Sequence, residues 1–184
     1  MIQSSVEQRM VAVERDCPAR AVPSGEPILL PKNAFVTITQ ARGGNYTVRY
    51  KGNLARVDGT DADALGLQRE EIEYTPSDSD VPREDHVWDT LRTIYDPEIP
   101  VNIVDLGLVY SVSIAEKSPD HYTVTITMTL TSPTCGMGTV LANDVRYRLA
   151  KVPHVDEVIV NIVFDPPWNR DNISDEAKLE LGLF

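Results

Sequence analysis

The chain has 184 residues, a hydrophobic fraction of 42% and a formal net charge of −11 from 28 acidic and 17 basic side chains; it carries enough apolar material for one medium core or two small ones and is too apolar for the disordered class. The acidic balance leaves no basic face on which a nucleic-acid backbone would release its counterions, so nucleic acid is not expected as a partner. The opening residues hold no apolar run of signal-peptide length, the longest apolar stretch (158–164) is broken by Asn161, and only Cys17 and Cys135 are present, so the expectation is a cytoplasmic chain with reduced thiols, no membrane segment and no four-cysteine metal site.

In chain order, the first segment is rich in glycine, proline and β-branched residues. Residues 35–40 and 46–50 alternate as strands around Ala41-Arg42-Gly43-Gly44-Asn45, a hairpin loop. A second turn at Lys51-Gly52-Asn53 leads to a strand over 54–57, which Asp58-Gly59 closes. This is a β-meander, to which Val11, Val13, Ile28 and Leu29 can add strands, giving a small barrel-like sheet. The acidic, Ser/Pro-bearing stretch 71–85 reads as a linker, so the expected organisation is a β-rich domain over 1–70 and an α/β domain over 86–184.

The second segment mixes periods. Trp88, Leu91, Ile94 and Tyr95 predict a helix from about His86 that stops before Pro97. Val109, Val112 and Ile114 mark a strand, and Lys117-Ser118-Pro119-Asp120 a turn. Strict alternation from Tyr122 to Thr131 predicts a half-buried strand. Met137, Val140, Leu141, Val145 and Leu149 form a helical stripe, residues 158–164 a third strand, and Ser174 an N-cap for a short last helix. The fold class is therefore α+β: a two-layer α/β sandwich on a small, mostly antiparallel sheet, preceded by a small β-rich domain.

The hairpin pairs residues whose numbers sum to about 237, which sets Asp105 and Leu106 opposite Thr131. One end of the sheet then collects Asp96-Pro97-Glu98, Asp105 and Thr131-Ser132-Pro133-Thr134-Cys135-Gly136. Cys135 precedes a helix, where free N–H groups favour the thiolate; it reads as a nucleophile or a soft-metal ligand, or else as a small buried residue closing a turn. Asp96 and Glu98 read as hard-metal ligands, as thiol-activating groups or as a helix-ending turn, and Asp105 shares that ambiguity. Cys17 is a small loop residue or a second thiol donated to Cys135. A cysteine hydrolase would need a base near Cys135. His154 lies past the far end of the following helix, on the order of 20 Å away, and His121 starts the strand, roughly 30 Å away; His86 also starts its helix at the far end. No catalytic residue is therefore assigned, and an enzyme is not expected.

Asp96-Pro97-Glu98-Ile99-Pro100, Val104-Asp105-Leu106-Gly107-Leu108-Val109-Tyr110 and Thr131-Ser132-Pro133-Thr134-Cys135-Gly136-Met137 together resemble the metal–sulfur cluster biosynthesis (PaaD-like) domain family over about 86–164. The resemblance implies a small α/β domain acting in accessory steps of iron–sulfur protein maturation, with Cys135 as functional thiol supported by Asp96, Glu98, Asp105 and Thr131; Ser132 replaces a frequent second threonine. Arg15-Asp16-Cys17-Pro18, Gly43-Gly44-Asn45-Tyr46-Thr47-Val48, Gly59-Thr60-Asp61-Ala62-Asp63 and Asp165-Pro166-Pro167-Trp168 resemble the SufT branch. The implied partners are the iron–sulfur assembly machinery and client apoproteins. No tightly bound cofactor is expected in the monomer. One cysteine leaves too few soft ligands, so a transient iron or iron–sulfur cluster would need a homodimer or a client to complete its coordination. The alternatives are a subunit of a phenylacetyl-CoA-type oxygenase complex and a cysteine-dependent hydrolase.

Overall fold

The computed structural model describes residues 8–133, 136 and 138–183, and the chain divides into two compact units, Met1–Ile72 and Glu73–Phe184. In the first unit six strands, β1 (Arg9–Ala12), β2 (Cys17–Ala21), β3 (Pro27–Leu30), β4 (Phe35–Arg42), β5 (Asn45–Tyr50) and β6 (Asn53–Asp58), form one antiparallel sheet in the order β1-β4-β5-β6-β2-β3. The hairpin turns follow from residues that take positive φ, Gly43 (59°) with Gly44 (75°) and Lys51 (48°) with Gly52 (79°). Two consecutive left-handed residues match the twist of the flanking strands. Alternation then sends Val36, Ile38, Val48, Ala55 and Val57 to one face, where they meet Cys17 and Ala19 of β2 and Leu30 of β3. Strands from both ends of the order thus share a core, so the sheet wraps around it. Among the described residues no ladder joins β1 to β3.

A 3-10 turn over Gly59–Leu65 plugs this core with Ala64 and Leu65. Asp58 caps it, its carboxylate accepting from Thr60 N at 2.9 Å and Thr60 Oγ1 at 2.7 Å, and Gly66 ends it at φ 72°.

The second unit begins inside the acidic stretch. Residues 73–83 carry neither helix nor strand, yet Tyr74 Oη lies 2.9 Å from Thr90 Oγ1 and the Thr75 carbonyl 3.0 Å from His86 Nε2. This part of the stretch is docked on α1 (Glu84–Leu91). That helix is shorter than its apolar spacing suggests. The Thr90 hydroxyl donates to the His86 carbonyl at 2.8 Å and the Thr93 hydroxyl to the Thr90 carbonyl at 2.6 Å, so side chains compete for carbonyls at the helix end.

The sheet of this unit runs β7 (Val109–Ser118), β8 (His121–Met128), β9 (Glu157–Ile162). β7 and β8 are antiparallel, whereas β9 joins β8 in parallel. The parallel pairing follows from the crossover helix α2 (Gly138–Leu149), which returns the chain to the end of the sheet where β8 began. A register shift between Val109 and Ser111 explains why Val109 falls out of phase with Val112 and Ile114, since one extra residue flips the alternation. Val124, Ile126 and Met128 pack under Leu91, Leu141, Val145 and Leu149. Arg148 is 1% exposed and donates to the carbonyl and hydroxyl of Thr93 at 3.1 and 3.0 Å, tying α2 to the exit of α1. The chain ends in α3 (Asp175–Leu181), capped by the Ser174 hydroxyl accepting from Ala177 N at 3.2 Å.

Candidate functional site

The acidic loop is built from two local hydrogen-bonded turns. Asp96 is buried, and its Oδ1 accepts from the N–H groups of Glu98 (2.8 Å) and Ile99 (2.9 Å). Pro97, which has no N–H, leaves those two as the donors in reach. The Asp96 N–H donates to the Val101 carbonyl at 3.1 Å, and Ile103 N–H to the Ile94 carbonyl at 2.9 Å, folding 96–103 back on the end of α1. The second turn is centred on Asn102, whose Oδ1 accepts from Val104 N and Asp105 N at 3.0 Å each. The Asn102 amide also donates to Asp105 Oδ2 at 2.6 Å. Glu98 is exposed and Asp105 half-buried.

The β7–β8 ladder reaches this loop but stops short of Asp105. Val109 opposes Met128, and Thr129 N–H donates to the Leu108 carbonyl at 2.8 Å; these are the pairs that a sum of 237 demands. Gly107, at φ 73°, then turns the chain away. Asp105 and Leu106 therefore sit in a turn and not across a ladder from Thr131. The loop and the exit of β8 share one end of the sheet, and no side-chain hydrogen bond joins Asp96, Glu98, Asp105 and Thr131 to one another among the described residues. Thr131 and Ser132 are half-buried. Gly138 holds α2 against this exit, since a Cβ there would lie 2.6 Å from Leu130 Cδ1. Thr134, Cys135 and Met137 lie outside the described residues.

Among the described residues no ion pair involves Asp96, Glu98 or Asp105, and the partners of the Asp96 and Asp105 carboxylates are neutral N–H and amide groups. The described residues contain no group of three or more His, Cys, Asp or Glu side chains able to hold a metal ion. Cys17 lies fully buried in the core of the first unit, and burial pushes its thiol up to about 11. A thiol held protonated in apolar surroundings is a packing residue, and this burial runs against its use as a metal ligand.

The histidines stand at the far ends of the elements that reach the loop. His121 opens β8, whose eight residues span about 26 Å. His154 follows the C-terminal end of α2, whose twelve residues span about 18 Å. His86 is buried beside Tyr74, their rings 5.1 Å apart. With His154 it lines a cleft of about 200 Å³ at the N-terminal end of α1, away from the acidic loop.

Residue-type reasoning missed Asn102 and the contact of the tail with the loop. Asn102 was legible as Asn-x-x-Asp, a spacing that lets one side chain cap two amides. Trp168, whose Nε1 donates to the Leu106 carbonyl at 2.6 Å, had no local signal tying it to a loop 62 residues earlier.

Comparison with known proteins places the chain among characterised relatives. Residues 84–161 match the family model described as iron-sulfur cluster assembly protein. An Fe-S protein maturation auxiliary factor of Porphyromonas gingivalis is 46% identical over 54% of this chain and 91% of its own length. The Staphylococcus aureus Fe-S protein maturation auxiliary factor SufT is 42% identical over 49% of this chain and 98% of its own. A crystal structure of a domain of unknown function from Bacillus anthracis superposes with a TM-score of 0.50 at 40% identity, covering 55% of this chain and 92% of that one. The acidic loop and both strands that hold it lie within the matched residues, and the chain belongs to the iron–sulfur cluster assembly protein family.

Proposed function

We propose that this protein is an accessory factor in the maturation of client iron–sulfur proteins, acting through contact with the assembly machinery and with apoproteins. The observation that carries the reading is the set of carboxylates on the loop beside the exit of β8, Asp96 and Asp105 held by neutral groups and Glu98 exposed, with no cation paired to any of them among the described residues. Carboxylates left without a fixed counter-charge attract a cation or a basic partner surface. In this reading Cys135, three residues beyond Ser132 in sequence, supplies the thiolate, and Thr131 and Ser132 supply hydroxyl groups. Iron or a cluster is cargo. A single soft ligand cannot complete its coordination, so a client or a second copy of the chain supplies the rest.

The protein does not itself catalyse sulfur release or hydrolysis in this reading. Each histidine lies at the end of its element remote from the acidic loop and the exit of β8, which argues against the cysteine hydrolase. The family relationship favours maturation over the oxygenase-complex subunit. No helix among the described residues is long and apolar enough to cross a membrane, which is compatible with work in the cytoplasm. The test is cluster content and activity of client iron–sulfur enzymes in cells carrying wild-type protein, Cys135→Ser, Asp105→Asn, or none. Occupancy should fall on deletion and stay low with either variant, while sulfur mobilisation is unchanged. Full occupancy with Cys135→Ser alongside loss on deletion would remove the thiol from the mechanism.

A further inference from the structure

The segment after β9 lies beyond the residues that the family model matches, yet two of its groups close on the acidic loop and a third on β7, the strand that follows that loop. Trp168 Nε1 donates to the Leu106 carbonyl at 2.6 Å, Ser174 N–H donates to the Asp105 carbonyl at 2.8 Å, and the Tyr110 hydroxyl donates to the Pro166 carbonyl at 2.7 Å. A fourth contact is steric. A Cβ on Gly107 would lie 2.2 Å from the Asn172 carbonyl oxygen, so the tail rests directly on the loop backbone where φ turns positive. The contacts with Trp168 and Ser174 use main-chain carbonyls of the residues that carry and follow the Asp105 carboxylate, and they leave that carboxylate to Asn102.

We infer that the segment Pro166–Ser174 is a clamp that sets the position of the acidic loop, with Trp168 as its positioning residue. The chemistry of the contacts supports a specific task. Leu106 is fully buried, so its carbonyl depends on an internal donor, and loss of the indole N–H leaves that acceptor unsatisfied. Asn102 orients Asp105 only within its own turn; the tail holds that turn against the sheet. Without the clamp the Asp105 carboxylate keeps its local partner but loses its place relative to Thr131. The inference rests on the function proposed above only for its consequence, since the clamp itself is a structural statement.

Trp168→Phe tests it, because the ring is retained and the N–H removed. In the full-length protein, hydrogen exchange of the amides of residues 104–107 should rise by about tenfold, the effect of one hydrogen bond, while the amides of β8 and the unfolding midpoint stay near wild type. Client cluster occupancy should drop towards the level of Asp105→Asn. Tyr110→Phe, which removes the bond to Pro166 at an exposed position, should accelerate the same amides to a smaller extent and serves if the tryptophan variant folds poorly. Unchanged exchange at 104–107 in both variants overturns the clamp, as does an equal rise throughout β8, which would mark a general loss of stability. A loosened loop with wild-type occupancy, in cells where Asp105→Asn lowers it, also overturns the positioning role. If Asp105→Asn has no effect on clients, the functional reading fails, and the exchange data still decide whether the clamp exists.

Discussion

Both units carry acidic residues in tight turns, but they treat them oppositely. In the first unit Arg15 reaches Asp63 through Nε and NH2 at 2.8 and 2.7 Å and Asp61 at 3.0 Å, so each carboxylate has a fixed counter-charge. In the second unit the carboxylates of Asp96 and Asp105 have only neutral donors among the described residues, and that of Glu98 stands exposed. A bidentate guanidinium satisfies a carboxylate's charge and leaves little for a ligand, whereas backbone amides satisfy its geometry and leave much of the charge available. The difference separates carboxylates that spend their charge on holding a fold together from carboxylates whose charge is left uncompensated by an ion pair among the described residues.

The largest expected effect breaks the loop outright. Gly107→Ala adds a Cβ 2.2 Å from the Asn172 carbonyl oxygen at a residue with φ 73°, and should cost about 3 kcal/mol from overpacking and left-handed strain together. Urea denaturation measures it, and client occupancy should fall as well. Asp96 gives a graded comparison. Asp96→Ala removes the acceptor for two amides and should cost about 1–2 kcal/mol, as loss of a helix cap does, whereas Asp96→Asn keeps an oxygen in the same place and should stay close to wild type by the same measurement.

The ion-paired cluster is tested by pH. Arg15 holds the Asp63 carboxyl below the usual carboxylate range, chiefly through their hydrogen bond. In the unfolded chain an aspartate titrates near about 3.9, so the stabilisation is complete above that value and is lost as pH falls through the lower folded pKa. Arg15→Ala should therefore cost about 1 kcal/mol at pH 7, a modest figure because the pair is partly exposed. The gap from wild type should close in the acid limb of a stability–pH curve. A gap that persists at pH 2 would show that Arg15 acts by packing. The smallest effect on stability belongs to Asp105→Asn, within about 0.5 kcal/mol, since an amide can still accept from Asn102. Its effect should appear in client occupancy alone, and that contrast with Arg15→Ala is what the comparison of the two acidic clusters demands.

Much of this was legible in the chain itself. The Gly43-Gly44 and Lys51-Gly52 turns, the Tyr122–Thr131 alternation and the Ser174 cap are local signals, because positive φ, a period of two and a side-chain acceptor act over a few residues. Hairpin arithmetic also gave the Val109–Met128 pairing, which brings the end of the acidic loop to the exit of β8. What the local pattern concealed was each place where a distant group won. Thr90 and Thr93 shorten α1, a bulge rephases β7, and Gly107 diverts Asp105 from the ladder that the arithmetic assumed. Cys17, motif-like beside Asp16 and Pro18, is buried by strands that converge on it from along the first unit. The absence of an ion pair to Asp96 or Asp105 among the described residues, and the seating of Trp168 on Leu106, were settled by tertiary structure alone. Composition counts charges, but only folding over long sequence separations decides which of them meet.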